Sequence, residues 1–243
     1  MIQLSSTQKK VLEIYRNEGH IKAWNYWKLI GNTYGIFLGE VPSNHFINGI
    51  SLANHVGLTK GVLCNIDVPW LKFLLDGNII YVPMKPLMHS VSWDKINECG
   101  AVFENVGATI DIDSNTYDIT LLRGLNVNHN LDKKIAGYDN PETHKSEWNR
   151  LMYPLHKGVR VHTYIRNPSQ IPYALWRAYS NIDMVMDYQQ CNNGSITLVQ
   201  ESLMIDKRLC YCRGGDGVCS IDLGSSSIDD SNFGWRPALR LIK

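Results

Sequence analysis

Two segments of the chain place apolar residues as paired strands do. The runs WLKFLLD and NIIYVP meet at the sequence DGN, residues 76–78, and glycine accepts the positive φ that a tight turn requires. Farther along, ATIDI and YDITLLRG alternate polar and apolar residues on either side of DSNT, residues 113–116. Both patterns predict antiparallel hairpins.

The second turn also resembles the start of a calcium-binding loop. Asp111, Asp113 and Asn115 have the alternating spacing of such ligands. A loop of the EF-hand type needs glycine at its sixth position and an acid at its twelfth. Thr116 and Leu122 stand at those positions. The sequence therefore favours a hairpin turn over a metal site.

Helical signals appear at three places. One lies at the chain start, where Ser6 or Thr7 can cap the helix. The segment SWDKINECGA begins with the capping residue Ser92 and ends at Gly100, and SEWNRLMYPLHKG begins with Ser146. Serine is a favourable N-cap because its hydroxyl accepts a backbone N–H of the first turn. We expect a short second helix and a third of two or three turns.

The C-terminal quarter is rich in predicted strands: SITLVQESL at 195–203, KRLCYC at 207–212 and WRPALRLI at 235–242. Between the last two, a segment rich in Gly, Ser and Asp predicts a loop. Residues 124–141 are polar and lack periodicity, which is typical of a long loop or a seam between two halves. We therefore predict an N-terminal part over 1–135 and a C-terminal part over 136–243.

Composition excludes some classes of function. Hydrophobic residues make up 44% of the 243 residues, charged residues only 19%, and the formal net charge is +1. Such a balance gives no electrostatic footprint for nucleic acid. The first residues lack the pattern of a signal peptide, and no apolar run is long enough to span a membrane. We expect a soluble protein made in a cytoplasm.

Chemistry-bearing residues do not converge in the sequence. The eight histidines are scattered without metal-binding spacing, and no phosphate-binding loop or nucleophile elbow is present. We expect no metal, no cofactor and no catalytic residue. The pattern favours cysteines that pack as free thiols. A disulfide bridge and a metal site stay open as alternatives. The six are Cys64, Cys99, Cys191, Cys210, Cys212 and Cys219.

The end of the chain resembles a known family. A predicted strand runs into RGG at 213–215, and FGWR at 233–236 precedes the final strand. This arrangement is similar to the end of the formylglycine-generating-enzyme branch of the C-type-lectin fold, with tryptophan in place of the usual phenylalanine. The same fold carries variable receptor-binding proteins of phages. SEWNRLMY and DGNIIYVPMKPLMHSVSW also resemble stretches of phage virion proteins. The structural motif consists of Arg213, Gly214, Gly215, Gly234, Trp235 and Arg236.

The resemblance implies a fold and an absence of catalysis. It implies an α+β protein whose C-terminal domain, over 136–243, is C-type-lectin-like with a twisted antiparallel sheet and two helices. A small strand-rich mounting module over 1–135 would precede it. Catalytic members of that branch bind copper through two cysteines. Cys219 stands near the position of the first, but Gly224 stands where the second is expected, and one thiol does not make the two-thiolate site that Cu(I) prefers.

These observations predict a non-catalytic structural component of a bacteriophage particle. It would be a head or tail decoration, an adaptor or a fibre-associated protein, located in the virion, in contact with other virion proteins and homo-oligomeric. The alternative is binding of a host receptor or glycan through the loop over 215–233; a weaker one is a degenerate enzyme with a reactive Cys219. The spacing of Tyr173, Trp176 and Tyr179 also fits one face of a helix that packs against the core. The candidate contact residues are Tyr173, Trp176, Tyr179, Tyr188, Asp216, Asp229 and Asp230.

Overall fold

The chain folds into two β-sheets with a few short helices. The computed structural model describes residues 35–105, 107–126, 134–135, 143, 145–156, 179–184 and 194–242. Within them the strands are β1 (Ile36–Val41), β2 (Val62–Leu63), β3 (Trp70–Leu75), β4 (Asn78–Pro83), β5 (Met88–His89), β6 (Thr109–Ile112), β7 (Asn115–Thr120), β8 (Ile196–Leu203), β9 (Asp206–Gly214), β10 (Ile221–Ser225), β11 (Phe233–Trp235) and β12 (Ala238–Leu241). The helices are α1 (Gly49–His55), α2 (Trp93–Glu98), α3 (Glu147–Leu151) and α4 (Asn181–Met184), with 3-10 turns at Ser43–His45 and Tyr153–Leu155.

Each sheet has six strands in the described part of the chain. The first has the order β1-β3-β4-β12-β7-β6, with every neighbouring pair antiparallel. The second has the order β10-β9-β8-β11-β5-β2, and it is antiparallel except for the parallel pair β8–β11. The architecture is therefore mostly β with short helices, consistent with the predicted α+β class.

Both predicted hairpins are confirmed. β3 pairs with β4, and β6 pairs with β7, in regular antiparallel register. Their turns have positive φ at Asp76 (50°), Gly77 (84°), Asp113 (47°) and Ser114 (65°). These angles match the right-handed twist of the flanking strands, which explains why two-residue turns of this kind favour Asp, Asn and Gly.

The C-terminal segment departs from its predicted pattern in two ways. WRPALRLI is not one strand, because β11 belongs to the second sheet and β12 to the first, with Arg236 and Pro237 between them. The segment predicted as a Gly/Ser/Asp-rich loop contains β10, which pairs along β9. Its central sequence, Ile221–Ser225, alternates too weakly to stand out among its polar neighbours.

Strands from both halves of the sequence share both sheets. β12 lies between β4 and β7 in the first sheet, while β2 and β5 extend the sheet that β8–β11 form. The boundary predicted near residue 135 therefore does not coincide with a separation of the two sheets. The segment from β11 to β12, residues 233–241, crosses from one sheet to the other and ties them together.

Apolar side chains fill two clusters, and strand β3 contributes to both. Trp70 and Leu74 lie in one cluster, while Leu71, Phe73 and Leu75 lie in the other. Successive side chains of a strand point to opposite faces. A strand buried on both faces reads as a continuous apolar run, which explains the sequence WLKFLL.

The two short helices predicted after serine caps are present. Ser92 Oγ accepts the Lys95 N–H at 3.3 Å and begins α2. The helix after Ser146 is shorter than predicted: its α-helical part ends at Leu151, and Pro154 lies in the 3-10 turn that follows. Helix α1 has no counterpart among the predicted elements, and the helix predicted after Ser6 lies outside the described residues.

Candidate functional site

Helix α3 stands where the motif segments of the C-terminal tail meet. Ser146 begins it, since its Oγ accepts the Asn149 N–H at 3.1 Å. The next four residues, EWNR, each contact a charged partner from another element. Five residues are too few for a helix to be stable alone, so these tertiary contacts hold α3 in place.

The first contact is an ion pair with the final strand. Arg240 donates to both carboxylate oxygens of Glu147, at 2.9 and 2.6 Å, and its Nε donates to Thr120 Oγ1 at 2.9 Å. The backbone N–H of Arg123 donates to the same carboxylate at 2.9 Å. The two charged side chains are only 10% and 14% exposed. This bidentate pair therefore binds α3 to the first sheet.

The second contact joins an indole to a buried guanidinium group. Trp148 is fully buried and its Nε1 donates to Val218 O at 2.7 Å. The Arg236 guanidinium carbon lies 5.8 Å from the centre of the Trp148 ring. Arg236 Nη2 also donates to the carbonyl oxygens of Met84, at 2.9 Å, and Met184. Arg236 thus links α3 to the segments after β4 and at α4.

The third contact involves the arginine of the RGG motif. Arg213 lies in β9, is fully buried, and donates from Nη2 to Asn149 Oδ1. The other end of the Asn149 amide donates to Thr143 Oγ1 at 3.1 Å. The fourth is an ion pair nearer the surface, in which Arg150 donates to both oxygens of Asp76 at 2.6 Å.

Burial has an electrostatic consequence for two of these arginines. Loss of solvent lowers the pKa of Arg213 to about 10 and that of Arg236 to about 9, so both remain charged at neutral pH. Within the described residues, Nε and Nη1 of each arginine have no hydrogen-bond partner, and neither have the buried hydroxyls of Ser195 and Thr197. Thr197 lies directly opposite Arg213 in the β8–β9 ladder.

Glycines of the motif allow close backbone approach. A Cβ at Gly234 would lie 2.7 Å from Gly194 O, 2.8 Å from Gly194 Cα and 2.9 Å from Pro86 Cβ. Gly214 and Gly215 have φ of 85° and 78°, a conformation that other residues adopt at a cost. Trp235, which follows Gly234 in sequence, is fully buried. The geometry thus gives RGG and GWR roles in holding the two sheets together.

A half-buried carboxylate lies close to the same region. Glu201 accepts the backbone N–H groups of Gly124, at 2.8 Å, and Leu125, at 3.2 Å. Burial raises its pKa to about 7, and the negative charge of Glu147 acts in the same direction. The two amide donors oppose the shift because they stabilise the charged form. Glu201 anchors the segment that leaves the first sheet after β7.

The predicted contact residues separate into three groups. Asp216, Asp229 and Asp230 are exposed. Tyr179 is 1% exposed and donates to Glu40 Oε1 at 2.6 Å, so it is a core residue and not a surface contact. Tyr173, Trp176 and Tyr188 lie outside the described residues.

The exposed aspartates belong to two turns beside the start of β8. Gly215 N donates to Ser195 O at 3.0 Å, and Gly194 N donates to Ser231 O at 2.9 Å. The turn with Asp216 therefore lies on one side of the strand start, and the turn with Asp229 and Asp230 lies on the other. Asp230 Oδ1 accepts the Asn232 N–H at 2.7 Å, which is the bond of an Asx turn.

Two cysteines pack as core side chains. Cys210 and Cys212 are buried free thiols on the same face of β9. Burial raises the pKa of Cys210 to about 12 and also raises that of Cys212, so both stay protonated and unreactive at neutral pH. No group of three or more metal-ligating side chains occurs among the described residues.

The position expected for a second copper-binding thiol has no room for a side chain. A Cβ at Gly224 would lie 2.7 Å from Phe233 Cε1 and 2.8 Å from its Cζ. Gly224 also lies directly opposite Cys210 in the β9–β10 ladder, within hydrogen-bonding reach of its thiol. The residues around Gly224 therefore do not fit a two-thiolate site that includes this position.

The sequence pattern alone does not reveal the polar partners of α3, and the predicted contact residues do not include an exposed apolar turn. Nothing in the local pattern of Arg240 or Glu147 reveals that the two meet across 93 residues. At the β8–β9 turn, Met204 and Ile205 are each 64% exposed. Two adjacent large apolar residues between predicted strands were a readable signal, because turns usually carry Gly, Asn, Asp or Pro.

Comparison with protein-family models, with curated proteins and with solved structures finds no match to this chain. Among the described residues, no helix has the length and apolar character needed to cross a membrane.

Proposed function

We propose that this chain is a non-catalytic structural component of a bacteriophage particle, with a C-type-lectin-like arrangement in its C-terminal part. The observation that carries the proposal is the convergence of the motif on α3. Arg213 and Arg236, the two arginines that the resemblance singles out, contact Asn149 and Trp148 of the SEWN sequence. The two sequence features that resemble phage and lectin-like proteins are thus parts of one buried structural unit.

The placement of reactive groups supports a non-catalytic role. The guanidinium groups of Arg213 and Arg236 are fully buried, and the Cys210 and Cys212 thiols are packed in the core. A catalytic group must reach its substrate within hydrogen-bonding distance. The polar chemistry around the motif instead connects elements of the fold, as expected for a protein that acts through its surface.

Purified particles of the source phage provide the test. Mass spectrometry should find the protein at fixed copy number, and immunogold labelling should place it on the head or the tail. A matched preparation from a phage that carries a deletion of the gene controls for contamination by host-cell debris. Protein that remains in the infected cytoplasm and is absent from particles would contradict the proposal.

The alternative, attachment to a host receptor or glycan, is favoured by one observation. The turns that carry Asp216, Asp229 and Asp230 are exposed on either side of the start of β8. Polar loops on a rigid scaffold are common binding surfaces. Replacement of the three aspartates by asparagine should then reduce adsorption of particles to host cells without loss of the protein from the particles. Unchanged adsorption would contradict this alternative.

A further inference from the structure

The turn between β8 and β9 differs from the two-residue hairpin turns at 76–77 and 113–114. Leu203 pairs with Asp206, so Met204 and Ile205 form its tip, and each is 64% exposed. The tips at 76–77 and 113–114 are polar and have positive φ, whereas neither tip residue at 204–205 does. A hairpin tip that lacks the usual turn residues and exposes two large apolar side chains is typical of a contact site.

The surroundings of this tip carry an excess of positive charge. Lys207 and Lys134 are exposed, and the positive charge of Lys134 contributes to lowering the pKa of Asp206. Arg208 donates to both oxygens of Asp206, at 2.9 and 3.0 Å. Three cations against one carboxylate thus surround the apolar tip.

An apolar and acidic surface is connected to the same hairpin through helix α2. Trp93 Nε1 donates to Val199 O at 2.9 Å, which ties α2 to β8. The Phe103 ring packs edge-on against Trp93, at 6.0 Å between centroids, and is 41% exposed. Phe103 is thus connected through Trp93 to β8, five residues before the tip.

Carboxylates surround Phe103. Asp94 accepts from Ser226 Oγ at 3.1 Å, and Ser226 N donates to Arg208 O at 2.7 Å, so α2 also lies against the base of β9. The Glu98 and Glu104 side chains are 60% and 38% exposed. Glu98 pairs with Lys95, and Glu104 lies 3.3 Å from Arg240 Nε, whose guanidinium group also pairs with Glu147. Four carboxylates thus share two cations, which leaves this surface with an excess of negative charge.

We propose that two copies of this chain form a two-fold dimer in which the Met204–Ile205 tip of each copy docks beside Phe103 of the other. Two-fold symmetry places a patch against itself, so the basic side of one patch faces the acidic side of its partner while the apolar residues meet in the centre. A membrane surface is a poorer occupant, because interfacial binding needs a larger apolar face or a denser basic cluster. The dimer deepens the proposed structural role by naming its first partner, but it does not require the phage assignment.

Sedimentation velocity of the purified full chain tests the dimer. Over about a hundredfold range of protein concentration, the wild type should convert from monomer to dimer, since an interface of modest size gives a weak complex. The double variant Met204→Ser/Ile205→Thr should weaken the dimer by about tenfold or more, as truncation of central apolar contacts does. Lys207→Glu should weaken it less, and the difference should shrink at high salt.

Ile182→Thr is the matched control, because Ile182 is an apolar residue that is 58% exposed in α4. It should leave dimerisation unchanged. A wild type that stays monomeric at every concentration, a double variant that dimerises normally, or an equal loss in the Ile182 variant would each overturn the proposal. Circular dichroism spectra of all variants show that any loss of dimer does not come from unfolding. Because these measurements use the purified chain, they are independent of the virion test.

Discussion

The region around α3 and the tip of the β8–β9 hairpin distribute polarity in opposite ways. Around α3, the guanidinium groups of Arg213 and Arg236 are fully buried. At the tip, Met204 and Ile205 are each 64% exposed. Burial of a charge costs free energy unless it is paired, and exposure of an apolar side chain forgoes the hydrophobic stabilisation of burial. Both the buried guanidinium groups and the exposed apolar side chains are unfavourable locally, so other interactions must compensate for each of them.

The reasons differ between the two regions. The buried arginines each contact α3, and Arg236 also reaches carbonyl groups at two other segments. Removing such a group should therefore reduce stability. The exposed tip residues support little of their own fold, so removing them should affect association and leave stability nearly unchanged.

The largest loss of stability is expected from the ion pair between Glu147 and Arg240. Glu147→Leu removes the bidentate partner of the Arg240 guanidinium, which is only 10% exposed, and leaves it the more exposed carboxylate of Glu104, 3.3 Å from its Nε. Breaking one side of a buried pair typically costs about 3–5 kcal/mol, and urea unfolding should show a loss of this size. Asp76→Asn is the matched control. Asp76 forms an ion pair with Arg150, which lies in the same helix as Glu147, but the Asp76 side chain is 50% exposed. That variant should lose less than about 1 kcal/mol.

The double variant Glu147→Leu/Arg240→Met then separates pairing from burial. Replacement of both charges by apolar side chains removes the uncompensated guanidinium group and should recover most of the lost stability. If the single Glu147 variant unfolds at the same urea concentration as the wild type, the polar contacts of α3 do not stabilise the fold.

A smaller loss should follow from Gly234→Ala. The added methyl would meet the backbone of Gly194 at 2.7–2.8 Å, and overpacking of this kind typically costs about 1–3 kcal/mol. Gly215→Ala is the control for conformation, because Gly215 has φ of 78° but a Cβ there would contact only the Ile196 side chain, at 3.3 Å. Thermal unfolding should rank Gly234→Ala as the more destabilised. The opposite order would mean that backbone conformation, and not close approach, governs the motif.

Stability near α3 should also depend on pH through Glu201. Its pKa rises from 4.5 to about 7 on folding, so the folded state favours the protonated carboxyl. This contribution is fully present below about pH 4.5 and is lost as the pH rises through about 7, with a size of roughly 3 kcal/mol. Glu201→Gln should lose less stability than the wild type between pH 5 and 8 in urea titrations. Parallel pH profiles for the two proteins would contradict the shift.

Local structure was predictable where a pattern of a few residues decides it. The DGN and DSNT turns gave both hairpins of the first sheet, and Ser92 and Ser146 marked the starts of α2 and α3. Each of these depends on backbone geometry that neighbouring residues determine. The strand order was not predictable, because β12 enters the first sheet through pairing with strands more than 100 residues earlier.

The candidate site was predictable in its residues but not in its contacts. The resemblance identified Arg213 and Arg236, yet their partners Asn149 and Trp148 lie 64 and 88 residues away in sequence, and no local periodicity encodes such a distance. Burial of Tyr179 was an open alternative for the same reason: its spacing fits both a core face and a surface. The β10 strand was hidden because edge strands carry polar residues that also characterise loops.

The smallest change in stability is expected at the tip. Met204→Asn/Ile205→Gly installs the sequence that two-residue hairpin turns favour. The two replaced side chains are mostly exposed and neither tip residue has positive φ. The free energy of unfolding should therefore fall by only about 0.5 kcal/mol, because glycine adds conformational freedom to the unfolded chain. Urea unfolding at a low protein concentration, at which the chain is monomeric, measures this without a contribution from association. A loss greater than about 1 kcal/mol would show that Met204 and Ile205 stabilise the monomer. In that case the tip residues would contribute to folding as the buried arginines do. The two regions would then not divide into one that stabilises the fold and one that serves association.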